Sequence, residues 1–360
     1  MKKIICLIFL FLAVSSSCYA FDISAESAIL YDCLTDTFIY EKNADTQRPI
    51  ASTTKIMTGL IASTIYDVNQ EITVKSEWCG IEGSSMYLAP GEKLKISDLI
   101  YGLLLVSGND AAVALSLIYD NNTDSFVDLM NEKAAEIGLS NTHFDNPTGL
   151  DSKTQYSTAR DLAKLTKYAL SNEYFAKVCS TKQASIGTRF LANHNKLLFL
   201  IKDVIGVKTG YTDEAGRCLV SAINKDGRTF IAVTLNAPDD WEDHKKMYEF
   251  AYNDIKERTV VQKGLIGYID VAGKGQTPVY IKNNILLNIS HEELDFAEIS
   301  LKGQRIAYSG FSADEQYGIL TIRLNGKIIH TEPVYYQETI IKDTPKYTLW
   351  EKIIRFFSKR

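Results

Sequence analysis

Ser52 and Lys55 stand three residues apart in Ser52-Thr-Thr-Lys55. On a helix that spacing puts a hydroxyl and an amine on neighbouring positions of one face. A serine hydroxyl is a weak nucleophile and an amide carbonyl a poor electrophile, so a site joining them must deprotonate the serine and stabilise an oxyanion. Lys55 can take that proton only if its pKa is lowered, which burial and a nearby cation accomplish. Ser107-Gly-Asn109 adds a second hydroxyl and an amide. Lys208-Thr-Gly210 adds a candidate cation, another hydroxyl, and a glycine beside which a ligand backbone can approach closely. Lys208 and Thr209 suit a terminal carboxylate, and a helix N-terminus at Ser52 adds positive potential. Each segment alone is common: Ser-x-x-Lys fits a surface helix, and Ser-Gly-Asn fits an ordinary turn. In this order and at these separations, the three describe serine acyl transfer at a peptide-like carbonyl.

These residues need elements to hold them. Pro49 precedes the first segment, and Ile56, Leu60 and Ile61 continue it with helical spacing, so Ser52 is expected at or near a helix N-terminus. Ser97 to Leu117 reads as a helical region around the second segment. Asp124 to Ile137 reads as an amphipathic helix, and Thr158 to Leu170 as another, capped by Ser157 or Thr158. The third segment lies on a strand beginning near Ile205. Two apolar runs joined by Asn-Lys-Asp-Gly follow it and predict an antiparallel hairpin, and a second hairpin is predicted over Ala25 to Tyr40. His244 to Lys256 returns to helical spacing. The expected fold is α/β, an antiparallel sheet flanked by helices, over residues 21–258. From Val260 to Tyr336 the chain changes to short β-like runs punctuated by Gly, Asn and Asp, predicting a small all-β domain over 259–340.

The two ends differ from the rest. Lys2 and Lys3, the apolar run Ile4 to Val14 and the small residues up to Ala20 read as a signal peptide over 1–20, cleaved after Ala20. That implies secretion across the cytoplasmic membrane and an extracytoplasmic location at the membrane or wall. At the other end, within 343–360, Leu349, Trp350, Ile353, Ile354 and Phe357 share one helical face, while Glu351, Lys352, Arg355 and Lys359 occupy the other. Such an amphipathic helix suits a membrane surface, with packing on its own domain as the alternative.

Composition removes other chemistries. A net charge of −5 argues against a nucleic-acid footprint. The four cysteines beyond the leader, Cys33, Cys79, Cys179 and Cys218, lack C-x-x-C spacing and are expected to be buried free thiols, although pairing stays open. His291-Glu-Glu has no second histidine at the required helical spacing, so no metal enzyme is indicated. No cofactor is implied.

The three segments resemble those of the penicillin-recognising serine enzymes, and longer stretches narrow the likeness to the D-alanyl-D-alanine carboxypeptidases, the low-molecular-mass penicillin-binding proteins. "GSSMYLAPGEKLKISDLIYGLLLVSGNDAAVALS", "GLSNTHFDNPTGLD", "YSTARDLAKL", "HNKLL" and "VKTGYTDEAGRCLVSA" are similar to that family, closely over Ala25 to Tyr252 and by layout beyond. The resemblance implies that Ser52 is acylated, that Ser107 shuttles a proton to the leaving amine, and that Asn109 orients Lys55 and the substrate amide. It implies an oxyanion hole from the backbone N–H groups of Ser52 and Tyr211, substrate binding by Lys208, Thr209, Gly210 and Thr212, and a structural role for Asp110. Peptidoglycan stem peptides and β-lactams are the implied partners. A β-lactamase or esterase on the same fold and a non-catalytic penicillin-binding wall protein are the alternatives. A class A β-lactamase also needs Glu in an E-x-x-L-N context; the nearest match, Glu136-Ile-Gly-Leu-Ser, reads as a helix end and turn. One departure stands out. Some members carry an Arg after the hairpin for the substrate carboxylate, whereas "NAPDDWEDHKK" has Trp241 and no Arg.

Overall fold

The computed structural model describes residues 22–253, 255–304, 306–307 and 310–341. The expected signal peptide and the expected C-terminal helix therefore lie outside the described residues.

The first hairpin is β1 (Ser27–Asp32) and β2 (Thr37–Lys42). A 3-10 turn, Ala51–Thr54, leads into α1 (Lys55–Ile65). A short pair, β3 (Glu71–Thr73) and β4 (Lys93–Lys95), brackets a long loop. Five helices follow: α2 (Ile96–Leu105), α3 (Asn109–Asp120), α4 (Thr123–Ile137), α5 (Ala159–Leu170) and α6 (Glu173–Cys179). A small hairpin, β5 (Gln183–Ile186) with β6 (Arg189–Ala192), and the turn of helix α7 (Leu197–Leu200) precede β7 (Val204–Thr212), β8 (Gly216–Lys225) and β9 (Arg228–Leu235). Helix α8 (Asp240–Asn253) closes this unit.

The central sheet runs β2-β1-β9-β8-β7, antiparallel throughout, with β7 at one edge. Its strands alternate between two apolar layers, as a sheet covered on both faces requires. Ile29, Tyr31, Val220, Ala222, Ile231 and Val233 pack with Ile56, Met57 and Leu60 of α1 and with the helices around it. Ala28, Leu30, Leu219, Phe230 and Ala232 pack against Met247, Tyr248 and Ala251 of α8. Helix α1 thus runs buried between sheet and helices, which is why its burial covers every residue from Lys55 to Ala62.

Local signals explain most boundaries. Thr158 caps α5 by accepting a hydrogen bond from the Asp161 N–H, and Asn122 caps α4 through Asp124. Asp226 and Gly227, both with positive φ, turn β8 into β9 as a two-residue hairpin needs. Two expectations shift. The single helical region expected over Ser97 to Leu117 is two helices, because Ser107 adopts a left-handed φ of 62° and breaks the ladder between them. Helix α8 starts at Asp240, before His244, since its first turn carries Asp240, Glu242 and Asp243, which favour a helix N-terminus without apolar periodicity.

The β-rich unit begins with β10 (Lys256–Val261), a few residues before the expected boundary. Next come β11 (Gly264–Val271), β12 (Gly275–Ile281), β13 (Ile285–Ile289), the short α9 (His291–Asp295), β14 (Glu298–Gly303), β15 (Ile306–Ala307), β16 (Gln316–Leu324) and β17 (Lys327–Tyr336). Six strands form one sheet, and β10 pairs separately with β13. At the junction with the first unit, the buried Arg228 guanidinium bridges Asp32 (2.5 Å) and Glu293 (2.6 Å).

Candidate active site

Ser52 sits in the 3-10 turn at the entrance to α1, held by two close backbone approaches. Gly210 of β7 packs against it so tightly that a Cβ there would lie 3.0 Å from the Ser52 nitrogen. Gly149, at φ 82°, abuts the Ala51 carbonyl, where a Cβ would fall 2.0 Å from the oxygen. The loop carrying Gly149 is shaped by Asn146, whose Oδ1 accepts from Thr148 N, Thr148 Oγ1 and Gly149 N.

Lys55 opens α1 and is fully buried. Its Nζ lies 2.9 Å from Ser52 Oγ, 2.6 Å from Asn109 Oδ1 and 2.5 Å from the Thr148 carbonyl. Burial pushes its pKa well below the ordinary lysine value; the charge of Lys208 pushes the same way and Asp110 opposes. The neutral amine has two N–H groups and one lone pair. Asn109 Oδ1 and the Thr148 carbonyl can only accept, so they occupy both N–H groups. With the amine neutral, the position left toward Ser52 Oγ, at 2.9 Å, is the lone pair.

The second segment forms the turn between α2 and α3. Ser107 is buried, and its Oγ has no partner among the described residues. Asn109 is fixed by three bonds: its Oδ1 takes Lys55, its Nδ2 donates to the Glu82 carbonyl (2.6 Å), and its N–H donates to the Ser84 carbonyl (2.7 Å). Asp110 accepts from Met86 N, Leu88 N, Ala111 N and Ser85 Oγ, and so fastens the 84–88 loop over the start of α3.

In the third segment, Lys208 is buried, and its Nζ donates to the Thr209 carbonyl at 2.8 Å. Desolvation lowers its pKa to about 7. Lys208 pairs with Val220 and faces the α1 layer. Thr209, Gly210 and Tyr211 line a cavity of about 290 Å³ with Ser52 and Ser107. Thr212 Oγ1 donates to Asp151 (2.7 Å) and accepts from Ala215 N, tying the β7–β8 turn to the loop after α4. Glu136 lies in the last turn of α4, exposed and bonded to Lys133, away from this cavity.

Five further residues line the cavity: Ser84, His194, Arg217, Asp240 and Trp241. Burial and Lys208 hold the His194 pKa below its ordinary value. Strand register could have flagged Arg217, which pairs directly with Tyr211. The Thr148 carbonyl could not be found from residue type, because any residue supplies that group. No group of side chains suited to a metal ion occurs among the described residues.

The family model described as D-alanyl-D-alanine carboxypeptidase matches residues 13–239. The chain belongs to the D-alanyl-D-alanine carboxypeptidase family. Among its curated relatives, a Bacillus subtilis carboxypeptidase, DacF, is 29% identical over 342 residues, covering 88% of this chain and 86% of that one. A Streptomyces carboxypeptidase of strain K15 is 36% identical over 223 residues, 56% of this chain and 77% of that one. Among solved structures, penicillin binding protein 5 from Haemophilus influenzae superposes with a TM-score of 0.66 at 24% identity, covering 90% of this chain and 99% of that one, a likeness of fold. The Streptomyces K15 DD-transpeptidase superposes at 0.62 with 32% identity over 64% of this chain and 98% of that one. As a serine-type carboxypeptidase of this family, the chain has the mixed α/β architecture of its relatives.

Proposed function

We propose that Ser52 is the nucleophile with which this carboxypeptidase removes the terminal D-alanine from peptidoglycan pentapeptide stems, and that Lys55 is its base. The observation that carries this reading is the bonding at Lys55 Nζ. Two obligate acceptors hold the amine, and its remaining valence faces Ser52 Oγ at 2.9 Å. The proton passes from Oγ to Nζ as the Cα–Cβ–Oγ arm attacks the carbonyl carbon of the penultimate residue. The tetrahedral oxyanion is received by the N–H groups of Ser52 and Tyr211, and Gly210 keeps the wall between them free of a side chain. Collapse of the intermediate breaks the peptide bond, and Ser107 passes its proton to the departing amine while taking the proton held on Lys55 Nζ, which returns Lys55 to its neutral form. Its unpartnered Oγ in the same cavity supports that role. Water then hydrolyses the ester with Lys55 again as base, returning the free serine.

β-Lactams acylate the same serine in this reading. The β-lactamase alternative is disfavoured by Glu136, which pairs with Lys133 rather than facing the cavity. The protein acts outside the cytoplasmic membrane, after export by residues 1–20, and residues 343–360 rest on the membrane surface. No helix among the described residues is long and apolar enough to cross a membrane.

Incubation with diacetyl-Lys-D-Ala-D-Ala, with released D-alanine as the readout, tests the activity. Ser52→Ala is expected to abolish both D-alanine release and covalent labelling by fluorescent penicillin. Covalent labelling that persists in that variant removes Ser52 as the nucleophile.

A further inference from the structure

The cavity contains a cation that lies outside the three segments. Arg217 of β8 stands opposite Tyr211 of β7, so the two side chains leave the same face of the sheet. Its guanidinium is held on one side only. Nε and Nη2 both donate to Asp240 Oδ1, at 3.1 and 2.7 Å. That oxygen also accepts from Trp241 N, which fixes the carboxylate at the head of α8. The guanidinium carbon lies 5.6 Å from the centre of the Trp241 ring, so an aromatic face restrains the plane. Nη1 has no partner among the described residues. The side chain is 41% exposed, against 3% for Asp240. Arg217, Trp241, Thr209 and Ser52 line one cavity. Lys208 is the competing cation, but it is buried, spends a donor on the Thr209 carbonyl, faces the α1 layer, and is not among the lining residues.

We infer that Arg217 receives the anionic C-terminal carboxylate of the substrate, with Asp240 and Trp241 as the residues that position it. This rests on the carboxypeptidase reading of the site. A guanidinium clamped along one edge presents its other edge as a preformed donor pair for a planar anion. Arg217 would then supply, from the neighbouring strand, the cation that the stretch after the hairpin, with Trp241 and no arginine, lacks.

The test compares diacetyl-Lys-D-Ala-D-Ala with the same peptide ending in a carboxamide, following release of D-alanine or D-alaninamide. Arg217→Gln is expected to lower the acid-to-amide ratio of kcat/KM about ten- to hundredfold, the range for losing a charge-assisted contact. Arg217→Lys is expected to fall between, because an ammonium cannot hold the Asp240 fork and the ligand together. Asp240→Asn should raise KM for the acid more than it lowers kcat, as expected of a positioning residue. The ratio is taken within one preparation, so it does not depend on the fraction folded. An unchanged ratio in both Arg217 variants overturns the inference, as does a collapse of the ratio in Lys208→Gln with none in Arg217→Gln. If the wild-type enzyme releases no D-alanine from the acid peptide, the carboxypeptidase reading itself fails and the inference falls with it.

Discussion

Gly149→Ala offers a sharp test of how Ser52 is positioned. Gly149 is not part of the three chemical segments. Yet a Cβ on it would fall 2.0 Å from the Ala51 oxygen, 2.5 Å from the Ala51 carbonyl carbon and 3.0 Å from the Ser52 nitrogen. All three are backbone atoms, so no side-chain rotation relieves the overlap. Reaching the start of ordinary contact, 3.4 Å, requires the two backbones to part by 1.4 Å. The loop is anchored behind Gly149 by the 2.8 Å bond from its N–H to Asn146 Oδ1, so the displacement falls on the Ala51–Ser52 turn. A misplacement of about 1 Å in a reacting group can cost on the order of a hundredfold in rate. The left-handed φ of 82° adds roughly 1–2 kcal/mol of strain for any residue with a Cβ. Gly138→Ala separates these effects. Gly138 has a similar φ of 78° but nothing within 4 Å of the added carbon. Both variants should lose stability in urea titrations, whereas only Gly149→Ala should show the large fall in the second-order rate of acylation by fluorescent penicillin. Acylation of Gly149→Ala at the wild-type rate, or an equal loss in Gly138→Ala, would refute the claim that this contact sets the serine.

The buried Lys208 makes stability depend on pH: its folded pKa of about 7 lies below the ordinary value of 10.5, so the unfolded chain binds more protons between those limits and stability rises with pH across that window. The slope from this one group is at most about 1.4 kcal/mol per pH unit, and Lys208→Met should remove it from urea midpoints taken between neutral and mildly alkaline pH. Residues 343–360 carry five basic side chains against two acidic ones, and each basic residue near an anionic surface contributes about 1 kcal/mol. A chain truncated before Asp343 should therefore lose binding to anionic vesicles at low salt while still releasing D-alanine from small peptides; a full-length mature protein that ignores such vesicles defeats the membrane-surface role.

What the residues made legible was the chemistry carried by side-chain type. Ser52, Lys55, Ser107 and Asn109 converge as their spacing and resemblance imply, because each sits at the start or the break of a helix whose apolar periodicity can be read directly. The central hairpin was equally legible, since Asp226-Gly227 supplies the positive φ angles its turn demands. Backbone contributions were not. The Thr148 carbonyl that holds Lys55 depends on an Asn146-directed turn, and no residue type encodes its direction. Arg217 was overlooked because its side chain gains meaning only from register: pairing with Tyr211 brings it to the edge strand, and Asp240 meets it from an element that begins earlier than apolar spacing alone suggests. Thr212 also takes its partners from register: its hydroxyl donates to Asp151 and accepts from Ala215 N at the turn between β7 and β8.

The two buried lysines bear on how an amine could serve as the base in the proposed mechanism. An isolated lysine stays protonated at neutral pH and has no lone pair to offer. Here the cation's solvent is replaced by packed side chains, and that desolvation acts first on both Lys55 and Lys208. Lys55 also opposes a second positive charge, that of Lys208. Lys208 donates to a carbonyl, and desolvation lowers its pKa to about 7; the Lys55 pKa is pushed well below the ordinary lysine value by burial first and by the charge of Lys208 second. Burial and the charge of Lys208 both act against the protonated form of Lys55, and so favour the neutral amine beside the Ser52 hydroxyl. Asp110 pulls in the opposite direction on Lys55, but its carboxylate is occupied by backbone N–H groups and Ser85, so it steadies the loop over α3 without taking an ion pair that would restore the lysine's charge. Basicity and structure are in this way divided between neighbouring residues of one turn: Asn109 touches the amine, and Asp110 holds the turn that carries Asn109.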